Sequence, residues 1–440
     1  MDNKLTVIGA GLAGCEAAWQ AAERGVKVTL CEMKPQKFTP AHKYKGFAEL
    51  VCSNSLKAAR VNSAAGLLKE EMRRLGSLTV PCAEKTAVPA GGALAVDREK
   101  FSDMVTEKIC SHPNITVTEG EVSDIPQGFS VIASGPLTSG GLAESISALC
   151  GGYLSFFDAA APIVTANSID MTKAFAAARY GRGGDDYINC PFSKEEYLRF
   201  HSEIIKAESA PVHDFDCPSN SRDDFTVYEG CMPIEVLAKR GEDTMRYGAM
   251  KPVGLTDPHT ERRPYAVVQL RRENADGTMY NIVGFQTNLK FPEQKRIFSM
   301  IPGLENAEFV RYGVMHRNSF INSPRLLKGD FSVRNHPEIF FAGQITGVEG
   351  YMESAAAGIM AGINAVRRME GMETLILPPE TMIGGLSRYI SDESVTDFQP
   401  MGANMGILPD IGERIKDKQL RYQAIADRAL TAFDEYMQHV

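Results

Sequence analysis

Six residues near the N-terminus, Gly9-Ala10-Gly11-Leu12-Ala13-Gly14, constrain the fold more than any other stretch, because of what flanks them. Before them runs a short apolar segment, Lys4 to Ile8. After them Ala17 to Glu23 reads as helix and stops at Arg24-Gly25, where glycine can take a left-handed cap. Val26 to Cys31 is a second apolar strand, closed by Glu32, 18 residues beyond Gly14. Each part has a geometric use. Gly9 permits the tight turn, Gly11 lets backbone approach a pyrophosphate, and Gly14 lets helix pack close on strand. The helix N-terminus then faces the phosphates, and Glu32 can bond ribose hydroxyls. A Gly-rich turn in an unrelated α/β domain would carry the glycines without this strand, helix, strand and acid. The segment reads as a dinucleotide-binding unit.

Two later segments indicate which dinucleotide. Phe129 to Ala133 is a buried-type strand ending in Ser134-Gly135-Pro136, and Ile339-Phe340-Phe341-Ala342-Gly343 is another strand running into a turn. Behind it, Gly347 to Gly362 carries Gly350, Ser354, Ala355, Ala356, Ala357, Gly358, Ala361 and Gly362. Helix so dense in small residues suits close backbone approach to something flat or anionic; tight helix–sheet packing is the plainer alternative. A Rossmann start completed more than three hundred residues later resembles large FAD enzymes. The expected fold is therefore α/β: a Rossmann-like FAD-binding domain of the two-dinucleotide, glutathione-reductase-like kind, with an inserted smaller α+β domain. Residues 1–160 and 291–440 are expected to form the discontinuous FAD-binding domain, and 161–290 an insertion carrying substrate contacts. Within the insertion, Tyr265 to Arg272 and Thr278 to Gln286 flank a hairpin turn at Asp276-Gly277, while Lys194 to Ala207 and Pro233 to Arg240 read as helices. Beyond residue 411, Leu430, Phe433 and Met437 fall at helical spacing.

Composition narrows the classes. With 44% hydrophobic and 23% charged residues, the chain is not disordered, collagen-like or coiled coil. No apolar run reaches the roughly 18 residues of a membrane span. The nine cysteines are odd in number and show no C-x-x-C spacing, so a disulfide scaffold or thiolate zinc site is not expected, and the thiols suit a reducing cytosol. Leu12-Ala13-Gly14-Cys15 resembles a lipoprotein cleavage box, but the short run before it is broken by Gly9 and Gly11. A cytoplasmic protein is expected.

Two thiols stand apart. Cys52 follows an apolar run and sits amid small polar residues in Phe47–Leu56, a loop able to present a thiol to a cofactor. Cys231 precedes Pro233, which suits the first turn of a helix whose partial positive charge would favour thiolate. For either, the plain alternative is a small buried hydrophobe. Cys15, Cys31, Cys110 and Cys150 fit helix or strand interiors; Cys82, Cys190 and Cys217 are undecided. His316 lies where a planar ring could be stacked or protonated, and a structural role is the alternative. No histidine pair at helical spacing suggests a metal. Residues 262–334 hold 12 Lys+Arg against 6 Asp+Glu, so this window is +6 and the remainder of a chain of net −8 carries −14. Arg271, Arg272, Lys295, Arg296, Arg311, Arg317, Arg325 and Lys328 could face a polyanion or be ordinary surface.

These motifs resemble, over nearly the whole length, the folate- and FAD-dependent tRNA uracil-5 methyltransferases (the TrmFO type) of the GidA-like flavoproteins. The matching stretches are Gly9–Gly14, Phe47–Leu56, Pro89–Arg98, Met250–Leu255, Val283–Thr287, Ile301–Ala307, Arg311–Asn318 and Gly347–Tyr351. The resemblance implies transfer of a one-carbon unit from methylenetetrahydrofolate to C5 of a uridine in the tRNA T-loop, with FAD recharged by NAD(P)H as reductant. It assigns Cys231 to attack on uracil C6 and Cys52 to a second essential role near the flavin. It assigns His316 to sandwiching the pterin, and places Glu349, Gly350 and Lys290 near flavin and folate. Gln344 departs from the Asp that many FAD enzymes use for the ribityl chain. The alternatives left open are a ribosomal RNA uridine, wobble-uridine modification by a GidA-like enzyme (a longer chain with a further helical domain), and a flavin-binding scaffold, which would need neither thiol.

Overall fold

The computed structural model describes residues 4–152, 154–159, 161–181, 184–210, 232–313, 315–396, 398–412 and 415–440, with the backbone alone of 154–159, 316 and 317. Its first sheet has five parallel strands in the order Ile115–Glu119, Lys27–Glu32, Lys4–Ile8, Ser130–Ile132 and His336–Phe341, with Ser332–Val333 antiparallel at the edge. The three central strands bury Leu5, Val7, Val28, Leu30, Val131 and Ile132, the near-continuous apolar texture of a parallel sheet covered on both faces. The strand of Phe340 and Phe341 thus joins a sheet begun at residue 4, as expected.

The helices Leu12–Glu23 and Tyr351–Met369 pack against one another. Gly358 lies against the backbone of Ala13, and a Cβ on Gly362 would come within 2.6 Å of the Ala17 carbonyl oxygen. The small residues of 354–362 therefore serve helix–helix packing. The helix begins at Tyr351 rather than at Gly347, leaving 347–350 as a turn that aims its N-terminus.

A second sheet is antiparallel throughout, in the order Phe175–Ala176, Tyr187–Phe192, Ala266–Arg272, Met279–Ile282, Ile163–Thr165 and Phe309–Arg311. The expected hairpin joins its third and fourth strands. Its core also holds Ile297, Phe298, Ile301, Leu304 and Ala307. A boundary at residue 290 falls inside this core, because Gln294 binds both carbonyl and N–H of Gly313 and draws the helix Phe291–Phe298 into it. The C-terminal helix Lys418–Met437 docks through Ile425, Ala426, Ala429 and Phe433; Met437, expected on that face, is exposed. No described helix is long and apolar enough to cross a membrane.

One buried acid yields a test of the core. The Glu71 carboxylate accepts from the N–H groups of Met382 (2.7 Å) and Ile383 (2.8 Å) at the start of the helix Met382–Ser391. Burial outweighs those bonds and pushes its pKa up to about 8. A raised carboxyl pKa means the folded chain holds a proton that the unfolded chain has released. This contribution is complete below about pH 4.5 and is lost as pH climbs to 8. Thermal melts of wild type and Glu71→Gln from pH 5 to 9 should show the variant gaining on wild type as pH rises; parallel curves would assign Glu71 an ordinary pKa.

Candidate functional site

The turn after Lys4–Ile8 is built by Gly9, whose φ of +94° and whose closeness to the Ala133 carbonyl exclude a side chain. The helix from Leu12 has no side-chain cap at Gly11 and no acid in its first turn. Its first N–H groups and positive dipole end are left to whatever lies beyond. Beyond lies a cleft of about 1530 Å³, mouth included.

Its walls come from both ends of the chain. Gly9, Ala10, Gly11, Leu12 and Ala13 form the floor, Glu32 and His42 lie along it with Val51 and Cys52, and Ala342, Gly343, Gln344 and Tyr351 complete it. Gly343 holds φ +83°, again closed to most side chains. Gly11 is the one loop glycine whose missing Cβ would meet no protein atom within 4 Å, and its φ is unremarkable, so space rather than strain sets its identity. Gly14 is different: a Cβ there would collide with the Gly9 carbonyl.

Glu32 sits at its expected place and does something additional. One carboxylate oxygen accepts from Ala10 N (2.7 Å), the other from Lys34 N (2.9 Å), so the acid braces the glycine loop while facing the cleft. Gln344 donates its amide to the buried Glu349 (2.6 Å). That bond holds Glu349 behind Gln344, and neither Glu349 nor Gly350 (φ +126°) is among the residues that line the cleft.

The Cys52 loop is held by side chains from distant segments. Tyr351 accepts at its phenol oxygen from Cys52 N (2.7 Å) and Ser53 N (3.1 Å). Arg311 donates to Val51 O (2.6 Å), and Arg98, ion-paired with Glu273, donates to Leu50 O and to Cys52 O (3.2 Å). Asn54, wholly buried, donates to Val96 O and Arg272 O and accepts from Arg271 Nε (3.0 Å), while Arg271 also reaches Ser53 Oγ (2.8 Å). Burial lowers the Arg271 pKa, as expected of a guanidinium held mainly by neutral groups. Asn54→Ala should cost about 3 kcal/mol by stranding that N–H and two carbonyls. A melt within a degree of wild type would place the junction's strength elsewhere.

The remaining expectations divide. Lys290 is exposed, paired with Glu208 (2.5 Å), and absent from the cleft wall. His316 lies in the strand Met315–Phe320, opposite Asp158 and two positions before Asn318, which lines the cleft; its side chain is outside the described residues. Cys231 and Cys217 also lie outside them. The helix after Cys231 spans only Ile234–Lys239, with Pro233 at its N-cap, so it lends a weaker dipole than the expected run to Arg240. Cys15, Cys82 and Cys190 are buried, Cys31 lines the cleft, and Cys110 is exposed rather than interior. The basic window is not one surface, because Arg271 is buried, Arg296 pairs with Glu203 and Glu293, and Arg311 serves the Cys52 loop. Sequence reasoning missed Tyr351, Arg98 and Arg311 as site residues, although each stands at the end of a stretch already matched. Among the described residues no group of three or more His, Cys, Asp or Glu could hold a metal ion.

Comparison with known proteins agrees with this architecture. The family model described as glucose inhibited division protein A matches residues 4–373. The chain is 60% identical over 439 residues to the Acetivibrio thermocellus protein named methylenetetrahydrofolate–tRNA-(uracil-5-)-methyltransferase TrmFO, covering 99% of each. It is 57% and 56% identical to proteins of the same name from Heliobacterium modesticaldum and Enterococcus faecalis, covering 98% of each chain. Among solved structures, form II Aquifex aeolicus GidA superposes with a TM-score of 0.70 at 18% identity, covering 98% of this chain and 73% of that one, a likeness of fold. The chain belongs to the glucose inhibited division protein A family and, within it, to the TrmFO-type methylenetetrahydrofolate–tRNA-(uracil-5-)-methyltransferases.

Proposed function

We infer that this chain binds FAD in the cleft and transfers the methylene carbon of methylenetetrahydrofolate to C5 of a uridine in the tRNA T-loop, forming ribothymidine. The observation that carries the reading is the convergence of residues 9–13, 51–52 and 342–344 on one cleft. The residues there fit the cofactor. An uncapped helix N-terminus suits a pyrophosphate, Gly11 leaves room for it, and Glu32 retains acceptor capacity for ribose hydroxyls.

FAD, when bound and recharged by NAD(P)H, supplies the electrons that turn a transferred methylene into a methyl group. The chain's own share is to activate the uracil and to position it. Uracil C5 is a weak nucleophile until a thiolate adds to C6, which places the electron pair on C5 for attack on the methylene carbon. Cys231 is the residue we assign to that addition. Cys52, on the cleft wall, is assigned to proton transfer or base handling beside it, His316 to stacking the pterin, and Glu349 and Gly350 to the flavin side. Lys290, outside the cleft wall, is kept as a folate contact on the resemblance alone.

The test is transfer from labelled methylenetetrahydrofolate to an unmodified tRNA transcript in the presence of NADPH, with nucleoside mass spectrometry of the product. Ribothymidine in tRNA is expected. An aminomethyl uridine would indicate wobble chemistry, label only on a ribosomal RNA transcript would move the substrate, and RNA left without label would end the reading.

A further inference from the structure

We propose that Tyr351 is a positioning residue for Cys52, acting through a side-chain clamp that replaces ordinary loop hydrogen bonding around residues 50–53. The proposal rests on the reading above for what Cys52 does, and on geometry alone for how it is held.

A four-residue stretch just before a short strand would ordinarily satisfy its backbone with water or with itself. Here the acceptors and donors are side chains from three remote places. Both consecutive N–H groups, Cys52 and Ser53, converge on one phenol oxygen at 2.7 and 3.1 Å. The carbonyls on the other side, Leu50, Val51 and Cys52, go to the guanidinium groups of Arg98 and Arg311. Ordering three long side chains carries an entropy cost that an exposed turn avoids. That cost is intelligible if the quantity being fixed is the place of the thiol between them.

Tyr351 is suited to this role by where the chain puts it. It is the first residue of its helix, set by Gly350 at φ +126°, and its ring lines the same cleft as Cys52 and Gly343. Burial, and next the neighbouring Cys52 thiol, push its phenol well above its ordinary pKa, so it stays protonated at neutral pH. A neutral phenol has two lone pairs and one O–H. With both lone pairs taken by N–H groups, the oxygen fixes two successive peptide planes, and with them the direction in which the Cys52 Cα–Cβ bond leaves the backbone. Tyr351 thereby ties the segment 343–351 to the thiol. A displacement of about 1 Å at a reacting group can cost on the order of a hundredfold in rate.

The experiment compares wild type with Tyr351→Phe as purified full-length protein, and reads flavin content, methyl transfer to tRNA transcript, and the rate at which iodoacetamide alkylates Cys52, located by peptide mass spectrometry. The ring stays and only the acceptor is lost. Expected are unchanged flavin content, kcat lower by roughly ten- to a hundredfold with KM for methylenetetrahydrofolate nearly unchanged, and a clearly altered alkylation rate at Cys52 but not at exposed Cys110. Unchanged alkylation of Cys52 would overturn the proposal whatever the turnover does. So would loss of flavin, which would make Tyr351 a support of the cofactor. Arg311→Gln, which removes the clamp from its carbonyl side, should move Cys52 alkylation too; no change there would count equally against it. If wild type itself transfers no methyl group, the functional reading fails while the alkylation comparison still decides the clamp.

Discussion

Gly11→Val is expected to fold with a thermal midpoint close to that of flavin-free wild type and to purify without its yellow colour. The reasoning uses an asymmetry between two glycines three residues apart. A side chain at Gly14 would be driven into the Gly9 carbonyl, so Gly14→Val should give little folded protein. A side chain at Gly11 meets no protein atom within 4 Å, and the backbone there is extended, with φ −73°, which valine adopts readily. The only occupant it can exclude is one that enters the cleft. Overpacking a contact costs about 1–3 kcal/mol, which at tenfold per 1.4 kcal/mol is roughly a ten- to hundredfold loss of affinity. If the helix N–H groups bind a pyrophosphate as proposed, a branched side chain set between them belongs at the upper end. The measurements are the ratio of visible to protein absorbance and a melt. A folded Gly11→Val protein carrying full flavin would show that the cofactor does not lie over this loop.

The contrast also shows what the sequence could disclose. Strand, glycine loop, helix, strand and acid lie within 29 consecutive residues, Lys4 to Glu32, and local rules of spacing, capping and burial are enough to read them. The second nucleotide segment was legible for a related reason: small residues in a helix are an unusual local composition, even though their work here is to admit the helix Leu12–Glu23. The clamp is another matter. Tyr351 and Cys52 are 299 residues apart, Arg311 and Val51 260, Arg271 and Asn54 217. A tyrosine opening a helix and three scattered arginines have no signature of their own, since nothing near them in the chain records which backbone they satisfy. The basic window failed for the same reason. Counting charge along the sequence cannot separate a guanidinium buried under a loop from one on the surface.

Cys231→Ala is expected to keep its flavin and to lose methyl transfer by several orders of magnitude, the scale on which removal of an attacking nucleophile is felt. The support is chemical first: C5 of uracil needs an electron pair that a thiolate at C6 supplies, and alanine supplies none. It is also topological. The described chain on either side of Cys231 is pinned to one short stretch, with Ala210 N bound to Asn288 O (2.7 Å) and Ile234 N to Gln286 O (2.8 Å). Glu235 locks this arrangement by accepting from Asn288 N (2.7 Å) and Thr287 Oγ (2.8 Å). From there Gln294 reaches Gly313, and Arg311, two residues before it, grips the carbonyls of Val51 and Cys52. Hydrogen bonds and the short runs of backbone between them thus join the anchors of the Cys231 segment to the Cys52 loop, an arrangement compatible with both thiols serving one reaction. Cys52→Ala should differ in one respect. Because Cys52 lines the cleft, its loss should shift the visible band of the bound flavin as well as suppress turnover, whereas the Cys231→Ala spectrum should match wild type. Normal turnover in Cys231→Ala would remove the nucleophile assignment, and a colourless Cys231→Ala protein would recast that thiol as part of the cofactor's support.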